Sequence, residues 1–523
     1  MTVLLRAGLW FFVSCAIVTG LTTGRSQANT ENGAPDAKRI DERGAPELVK
    51  LSLQDLLHLV RERNERIMFQ DEEWGISRDN VQGARAIFEP AFVSSFLHED
   101  KGRRNTVREA VSLGFLPVFE EKSNAYDAAL EGLVPTGGKV SLGYTGRAFR
   151  NTLDEQYGVN REYQTFVGAR LTQPLLKNAG VDVTKAGIRV AEADADIAFQ
   201  GYREEIMRVM SEAASAYWDL YLAQEKYAVR QQSVHIAEQI LKDNMARVKT
   251  GKMARTEVLE AEAGLAARRS LLSEAEFAML SAMSAVRNLF SSSAAEKPMT
   301  IHATEQAQIQ THGAKFSKSL DKAFKLRAEY LSTLRKIQRE DIRLAFARNQ
   351  RWPQVDLKAS YGLNGLATSF SNSWDDAWDR DFKDWGVGLE LRIPIGGDRK
   401  SKSDLEVTKK RKKQALLELK AVEVAVANAV DRAIRNLQTA AEQVRYNAGA
   451  VDSNRELLKA ENARFEAGKS NSRLLLEREE DLNQAREAEL ESLVKFEKSL
   501  LGLHLAEGSL LLRYGIEMME VDL

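Results

Sequence analysis

Read at every seventh position from 199, the chain gives Phe199, Ile206, Ala213, Leu220, Tyr227, Val234, Leu241 and Val248, all apolar. From 416 the same step gives Leu416, Glu423, Val430, Leu437, Val444, Val451, Leu458 and Phe465, with a single polar exception. Apolar residues at heptad spacing lay a stripe along a helix that another helix must cover. The interleaved positions Val209, Ala216, Ala223, Arg230, Ala237 and Asn244 include small and polar residues, which loosen the seam relative to a closed two-stranded coiled coil. The helices predicted from this pattern cover 185–249 and 400–466, and at about 1.5 Å per residue each reaches roughly 100 Å. Gly251 and Gly468 stand where these helices end, because glycine readily takes the left-handed conformation that closes a last turn. Return helices follow at 254–290 and 471–513, so the chain makes two very long helical hairpins.

A second pattern has period two. Val355, Leu357, Ala359, Tyr361 and Leu363 alternate with Asp356, Lys358, Ser360 and Gly362, and Val387, Leu389, Leu391, Ile393 and Ile395 repeat the alternation. Val140, Leu142 and Tyr144 do the same, as do Val167, Ala169 and Leu171. Strands apolar on one face and polar on the other fit a barrel wall between lipid and water, and they fit a soluble sandwich equally.

The order of these elements occurs twice. Ala246-Arg247-Val248-Lys249-Thr250-Gly251-Lys252 is echoed 217 residues later by Ala463-Arg464-Phe465-Glu466-Ala467-Gly468-Lys469. Leu259, Glu260, Glu262, Leu265 and Arg269 recur as Leu476, Glu477, Glu479, Leu482 and Arg486. Upstream, Val167-Gly168 and Pro174 answer Val387-Gly388 and Pro394 at a spacing of 220, and Ala84-Arg85 and Pro90 answer Ala347-Arg348 and Pro353 at 263. The first copy therefore holds about 43 extra residues between its prolines. They are read as an added hairpin near 124–147, turning at Pro135-Thr136-Gly137-Gly138. The predicted organisation is a signal peptide at 1–28, a flexible leader at 29–50 and a first repeat at 51–290, with a helix, strands within 91–173 and a helical hairpin at 183–290. A connector at 291–316 leads to a second repeat at 317–513, with a helix, strands within 354–395 and a hairpin at 398–513, and then to a tail at 514–523.

Composition narrows the picture. A chain that is 44% apolar and 28% charged with nine prolines suits long solvated helices better than several compact cores. Arg6, the apolar run Leu9 to Leu21 and the small residues of Ser26-Gln27-Ala28 read as a cleaved secretory leader. The only cysteine, Cys15, lies inside it in a poor lipoprotein context, so the mature chain is exported without disulfides. Loss of Arg6 and Arg25 with the leader moves the formal charge from −1 to −3, which leaves no basic field for nucleic acid. No mature stretch approaches the ~18 consecutive apolar residues of a spanning helix, so only a β-barrel can carry this chain across a membrane.

Leu51-Ser52-Leu53-Gln54-Asp55-Leu56, Leu171-Thr172-Gln173-Pro174-Leu175-Leu176, and Gly251 followed by Glu257-Val258-Leu259-Glu260-Ala261-Glu262 resemble the opening helix, the strand-to-helix exit and the hairpin tip of TolC-like outer-membrane efflux proteins. The resemblance covers nearly everything from Leu51 to Leu512, and the duplicated order carries it. It implies an α+β membrane protein, a homotrimer whose protomers share one β-barrel continuous with a long α-helical coiled-coil tunnel in the periplasm. The implied role is a passive outer-membrane exit duct of a tripartite efflux pump or type I secretion system, fed by an inner-membrane transporter through a periplasmic adaptor. The resemblance places Arg247, Gly251, Arg464 and Gly468 at the hairpin tips that meet the adaptor, and Glu257, Glu260, Glu477 and Phe465 at the periplasmic gate. Leu474 stands where a second aspartate is expected, and Phe465 and Ser470 stand where the best-known member has tyrosine and arginine, so that member's latch is absent in recognisable form. Taken by themselves, the three glutamates are ordinary exposed helix formers. The alternative is a structural periplasmic coiled-coil scaffold with a soluble strand cap.

Enzyme chemistry finds no support. The six histidines form no HExxH, a single cysteine forms no CxxC, and no cofactor or metal site is expected. Thr136-Gly137-Gly138-Lys139-Val140 lacks the Ser or Thr that a phosphate loop places after its lysine, and reads as a tight turn. Asp375, Asp376, Asp379, Asp381 and Asp384 match no calcium loop and read as a solvated outer loop, and Lys409-Lys410-Arg411-Lys412-Lys413 as a solvated helix face. Trp374, Trp378 and Trp385 fit an interfacial aromatic belt and local loop packing equally.

Overall fold

The computed structural model describes residues 47–156, 158–291, 299–307 and 313–516; the predicted signal peptide, most of the leader and the tail beyond 516 lie outside them. The first copy runs β1 (Glu47–Leu51), α1 (Leu53–Arg63), α2 (Glu65–Arg85), β2 (Ala91–Arg104), α3 (Val107–Ser112), β3 (Val118–Leu133), β4 (Lys139–Asn151) and α4 (Thr152–Gln156). It continues through β5 (Glu162–Pro174), α5 (Val181–Thr184), α6 (Ala186–Lys249) and α7 (Arg255–Arg287). The second runs β6 (Met299–Ala303), α8 (Phe316–Leu326), α9 (Ala328–Asn349), β7 (Gln354–Ala367), α10 (Phe370–Trp378), β8 (Lys383–Arg392), α11 (Arg399–Glu466), α12 (Ser472–Glu507) and α13 (Leu510–Arg513).

The heptad stripes become seams. α6 has 64 residues and buries Ile206, Ala213, Leu220 and Val234; α11 has 68 and buries Val430, Leu437, Val444, Val451 and Phe465. Upstream of Val430 the buried stripe of α11 shifts to Ala415, Val422 and Val426, leaving Leu416 exposed. A straight helix of 3.6 residues per turn drifts against a seven-residue step, so one register does not hold over the whole length.

Two features differ from the sequence reading. Each copy opens with two helices instead of one. Asn64 ends α1 in extended backbone and its side-chain oxygen accepts from the amides of Arg66 (3.1 Å) and Ile67 (3.4 Å), starting α2 afresh. Arg327 makes the same extended break between α8 and α9. The second difference is that the end of the predicted leader and part of the predicted connector form structure, since β1 pairs in parallel with β6. This ribbon lies on α6. The Tyr217 hydroxyl donates to the Leu51 carbonyl (3.2 Å) and accepts from the amides of Thr304 (3.1 Å) and Glu305 (3.0 Å), while Ile301 is fully buried.

The other six strands form one antiparallel sheet in the order β2-β3-β4-β5-β7-β8. The extra hairpin of the first copy is β3–β4, and it sits inside the sheet between β2 and β5. Its turn is the glycine-rich segment that mimics a phosphate loop, closed by Val134 N to Gly138 O at 2.8 Å. Thr136 ties the turn to the strand-to-helix exit: its carbonyl accepts from the Gly180 amide (3.1 Å) and from Gln173 Nε2 (3.1 Å). At Gly137, with φ +91°, a side chain would run into the Asn178 carbonyl, so this approach requires glycine.

Candidate functional site

Two regions are candidates, the helical tips and the sheet. At the tips the two repeats build the same turn. Gly251 (φ +70°) closes α6 with Lys252 N to Arg247 O at 2.9 Å, and Gly468 (φ +71°) closes α11 with Lys469 N to Arg464 O at 2.8 Å. Phe465 is buried, with the Arg247 guanidinium 5.2 Å from its ring centroid, so the ends of α6 and α11 touch through a cation–π contact. Arg464 remains exposed, with Glu461 at 3.5 Å.

The three glutamates have three different fates. Glu257, in the first turn of α7, accepts from the Ser472 amide at 2.9 Å and so caps the first turn of α12 in the other repeat. Asn244 of α6 is fully buried beside it and donates to Ser472 Oγ (2.7 Å) and to the Glu257 carbonyl (3.3 Å). Glu260 is half-buried and one of its carboxylate oxygens is buried without a hydrogen-bond partner. Glu477 is exposed.

Two residues on from Glu477, Glu479 is buried. It accepts from Arg268 Nε (3.0 Å) and Nη2 (2.8 Å), from Ser233 Oγ (3.1 Å) and from Asn483 Nδ2 (2.5 Å). Arg268 also donates to the Leu476 carbonyl at 2.6 Å. At the next residue of α12 and about two turns further on, Arg230 of α6 binds Glu480 (2.9 Å) and Glu487 (2.6 Å) with a tenth of its side chain exposed. Sequence reading missed this cluster. Its signal was the polar residues Arg230 and Asn244 within an otherwise small and apolar interleaved series.

In the sheet, paired residues share a face, and the registers sort the strands completely. Phe92, Phe96, Tyr126, Leu130, Leu142, Tyr144, Val167, Leu171, Tyr361, Leu357, Val387 and Leu389 fall on one face. Asp127, Glu131, Ser141, Thr145, Arg170, Ser360, Lys358 and Glu390 fall on the other, with Val93, Leu97 and Phe166 among them. The apolar face is open: Phe92 and Trp385 are each 72% exposed and Leu389 is 69% exposed. Among the described residues no second sheet packs on it. α10 rests there, with Ser373 Oγ 3.0 Å from Thr165 Oγ1 and the Trp374 ring tilted against Tyr144 at 5.3 Å between centroids. Trp378 packs edge-on against Trp374, with ring centroids 6.2 Å apart, so these two tryptophans share local packing, while Trp385 stands exposed on β8. Asp384 belongs to β8 and not to the outer loop.

The sequence model of outer membrane efflux proteins matches residues 122–291 and 333–509. The chain belongs to the outer membrane efflux protein family. Its TolC-like resemblance, the helical hairpins and the two-faced strands are the marks of that membership. The fold is similar to that of the CmeC outer membrane channel of Campylobacter jejuni, at 14% identity over 88% of this chain and 86% of that one, with a TM-score of 0.60. It is similar to the open-state MtrE outer membrane channel of Neisseria gonorrhoeae, at 16% identity over 88% and 89% and a TM-score of 0.59. It also resembles the VceC outer membrane protein of Vibrio cholerae, at 14% identity over 87% and 96% and a TM-score of 0.57. No curated protein matches significantly. No described helix of this family member is long and apolar enough to cross a membrane, and no group of three or more His, Cys, Asp or Glu comes together among the described residues to hold a metal.

Proposed function

We propose that this protein is a passive exit duct of the outer membrane, a homotrimer in which the sheets close into one barrel and the helical hairpins into one periplasmic tunnel. The observation that carries the reading is the six-stranded sheet with one apolar face exposed and one polar face, continuous with the long hairpins. Unpaired strand edges and an uncovered apolar face are costly in water, and a closed barrel in lipid resolves both. The apolar face meets the outer-membrane lipid and the polar face lines the lumen. The tips, with Arg247, Gly251, Arg464 and Gly468, meet a periplasmic adaptor that couples the duct to an inner-membrane transporter. Glu257, Glu260, Glu477 and Phe465 surround the tunnel entrance, where carboxylates repeated about the axis repel one another unless partnered or hydrated and favour cations in the pore. The duct hydrolyses nothing and holds no cofactor.

Fractionation and planar-bilayer recording test this. The mature protein is expected in the outer membrane, soluble only in detergent, and giving discrete conductance steps. Recovery as a soluble periplasmic monomer would support the scaffold instead. Combined substitution of Glu257, Glu260 and Glu477 by Gln is expected to lower cation selectivity. Unchanged conductance and selectivity would remove the gate assignment and leave the duct.

A further inference from the structure

β2 and β8 are the two outer strands of the sheet, and neither pairs with another strand on its far side among the described residues. Every residue of β2 except the half-buried Glu99 is exposed, and β8 is exposed except for the half-buried Gly386 and Glu390. Along an edge of fourteen residues on one side and ten on the other, alternate residues turn unpaired N–H and C=O groups outward, and these cannot lie in hydrocarbon, where each unsatisfied group costs several kcal/mol. An even number of antiparallel strands also gives the two edges opposite directions. β2 leaves the helical end and β8 returns to it, so β8 of one copy meets β2 of the next antiparallel. The apolar face reaches both edges, with Phe92 and Phe96 on β2, whose other face carries Val93 and Leu97 beside Ser95, and with Trp385, Val387, Leu389 and Leu391 on β8.

In the shared barrel proposed above each edge meets a second copy of this chain, and we propose further that β3 and β4 are structural staves of that wall, so that the barrel has eighteen strands. The count rests on the trimeric duct proposed above; six strands from each of three copies supply it. With strands ~4.8 Å apart and tilted about 40°, eighteen strands give a backbone diameter of roughly 36 Å, against roughly 24 Å for the twelve that would remain if the extra hairpin stood outside the wall. The stapling of the Thr136 turn to Gly180 and Gln173, and the unbroken pairing of β3 with β2 and of β4 with β5, place the hairpin in the wall. The wider lumen suits bulkier cargo at the exit, whatever the tip admits.

Pairing also has a parity. Apolar-face positions are even in β2 and odd in β8, so directly opposed residues across the seam must be one of each. With Cys15 outside the mature chain, introduced cysteines report cleanly. Phe96→Cys is combined in turn with Trp385→Cys, Val387→Cys, Leu389→Cys and Leu391→Cys, and oxidised in membranes. At least one combination is expected to give covalently linked protomers, and Phe96→Cys with Gly386→Cys or Gly388→Cys none. Electron cryomicroscopy of the unaltered protein in nanodiscs counts the wall, with eighteen strands expected. A trimeric barrel of twelve strands, or an intact trimer with no cross-link in the scan, overturns this inference and leaves the duct standing. A protein without a trimeric barrel fails the underlying reading instead.

Discussion

Glu479→Leu is the most informative single change, because it leaves a guanidinium stranded between two hairpins. The side chains of Arg268 and Glu479 are 7% and 4% exposed, so water does not replace the lost carboxylate. Removing one partner of a buried ion pair costs about 3–5 kcal/mol, whereas replacing both with apolar groups of similar volume is often neutral. At about 1.4 kcal/mol per tenfold, local opening of α7 from α12 becomes roughly 140 to 3,700 times more frequent in the single variant. In Arg268→Met/Glu479→Leu most of that loss is recovered, since Ser233 and Asn483 keep their own hydrogen bond at 3.1 Å. Hydrogen–deuterium exchange of the peptides 261–272 and 475–486, read by mass spectrometry on detergent-solubilised protein, measures the opening directly. Exchange in Glu479→Leu within threefold of the parent, or a double variant as fast as the single, refutes the assignment of this pair as the internal clamp.

Other outcomes follow from the same geometry. Glu257→Ala is expected to loosen the start of α12 by about 0.5–2 kcal/mol, the usual value of a helix cap, while Glu257→Gln retains an acceptor and most of the order; exchange at the amides of 472–475 separates the two. Leu389→Arg puts a charge on the apolar face of β8 at a cost of about 2–4 kcal/mol at mid-membrane, and is expected to cut the yield of trimer in the outer membrane, whereas Lys358→Arg on the polar face is silent. Burial, reinforced by neighbouring Glu329, raises the Glu204 carboxyl above its ordinary value. A raised carboxyl favours the folded state fully below the ordinary glutamate range, and that contribution is lost as pH rises through the raised value. Glu204→Gln is therefore expected to raise the melting temperature at pH 7.5 and to flatten its dependence between pH 4 and 7.5; an unaltered pH profile contradicts it.

The long helices, the tip glycines and the two-faced strands were legible because each follows from local rules of spacing and backbone freedom. The parallel pairing of β1 with β6 was not, since its partners are about 250 residues apart and neither strand alternates strongly. The choice between Glu477 and Glu479 was equally hidden. Two residues along a helix turn a side chain by about 200°, so one faces water and the other Arg268, and only the neighbouring hairpin says which. The placement of the added hairpin inside the sheet depended on strand order, which period-two patterning does not encode.

The duplication gives the clamp its meaning. Carried across the 217-residue offset, Arg230 becomes Asn447, Ser233 becomes Ala450, Arg268 becomes Ala485, Asn483 becomes Ala266 and Glu257 becomes Leu474. Asn447 spends its donor within its own hairpin, on the Ala488 carbonyl at 3.0 Å. The acid alone is kept, since Glu479 becomes the exposed Glu262, and with Ala485 in place of Arg268 the buried ion pair has no counterpart at the junction with the roles of the repeats exchanged. In the proposed trimer that second junction lies between protomers. Two chemically different seams would then alternate around the entrance, one held by a buried ion pair and a helix cap, the other without that ion pair and that cap. A tunnel built this way parts first between protomers, with α7 and α12 of each chain moving together, because separating them strands a buried charge and separating their neighbours does not.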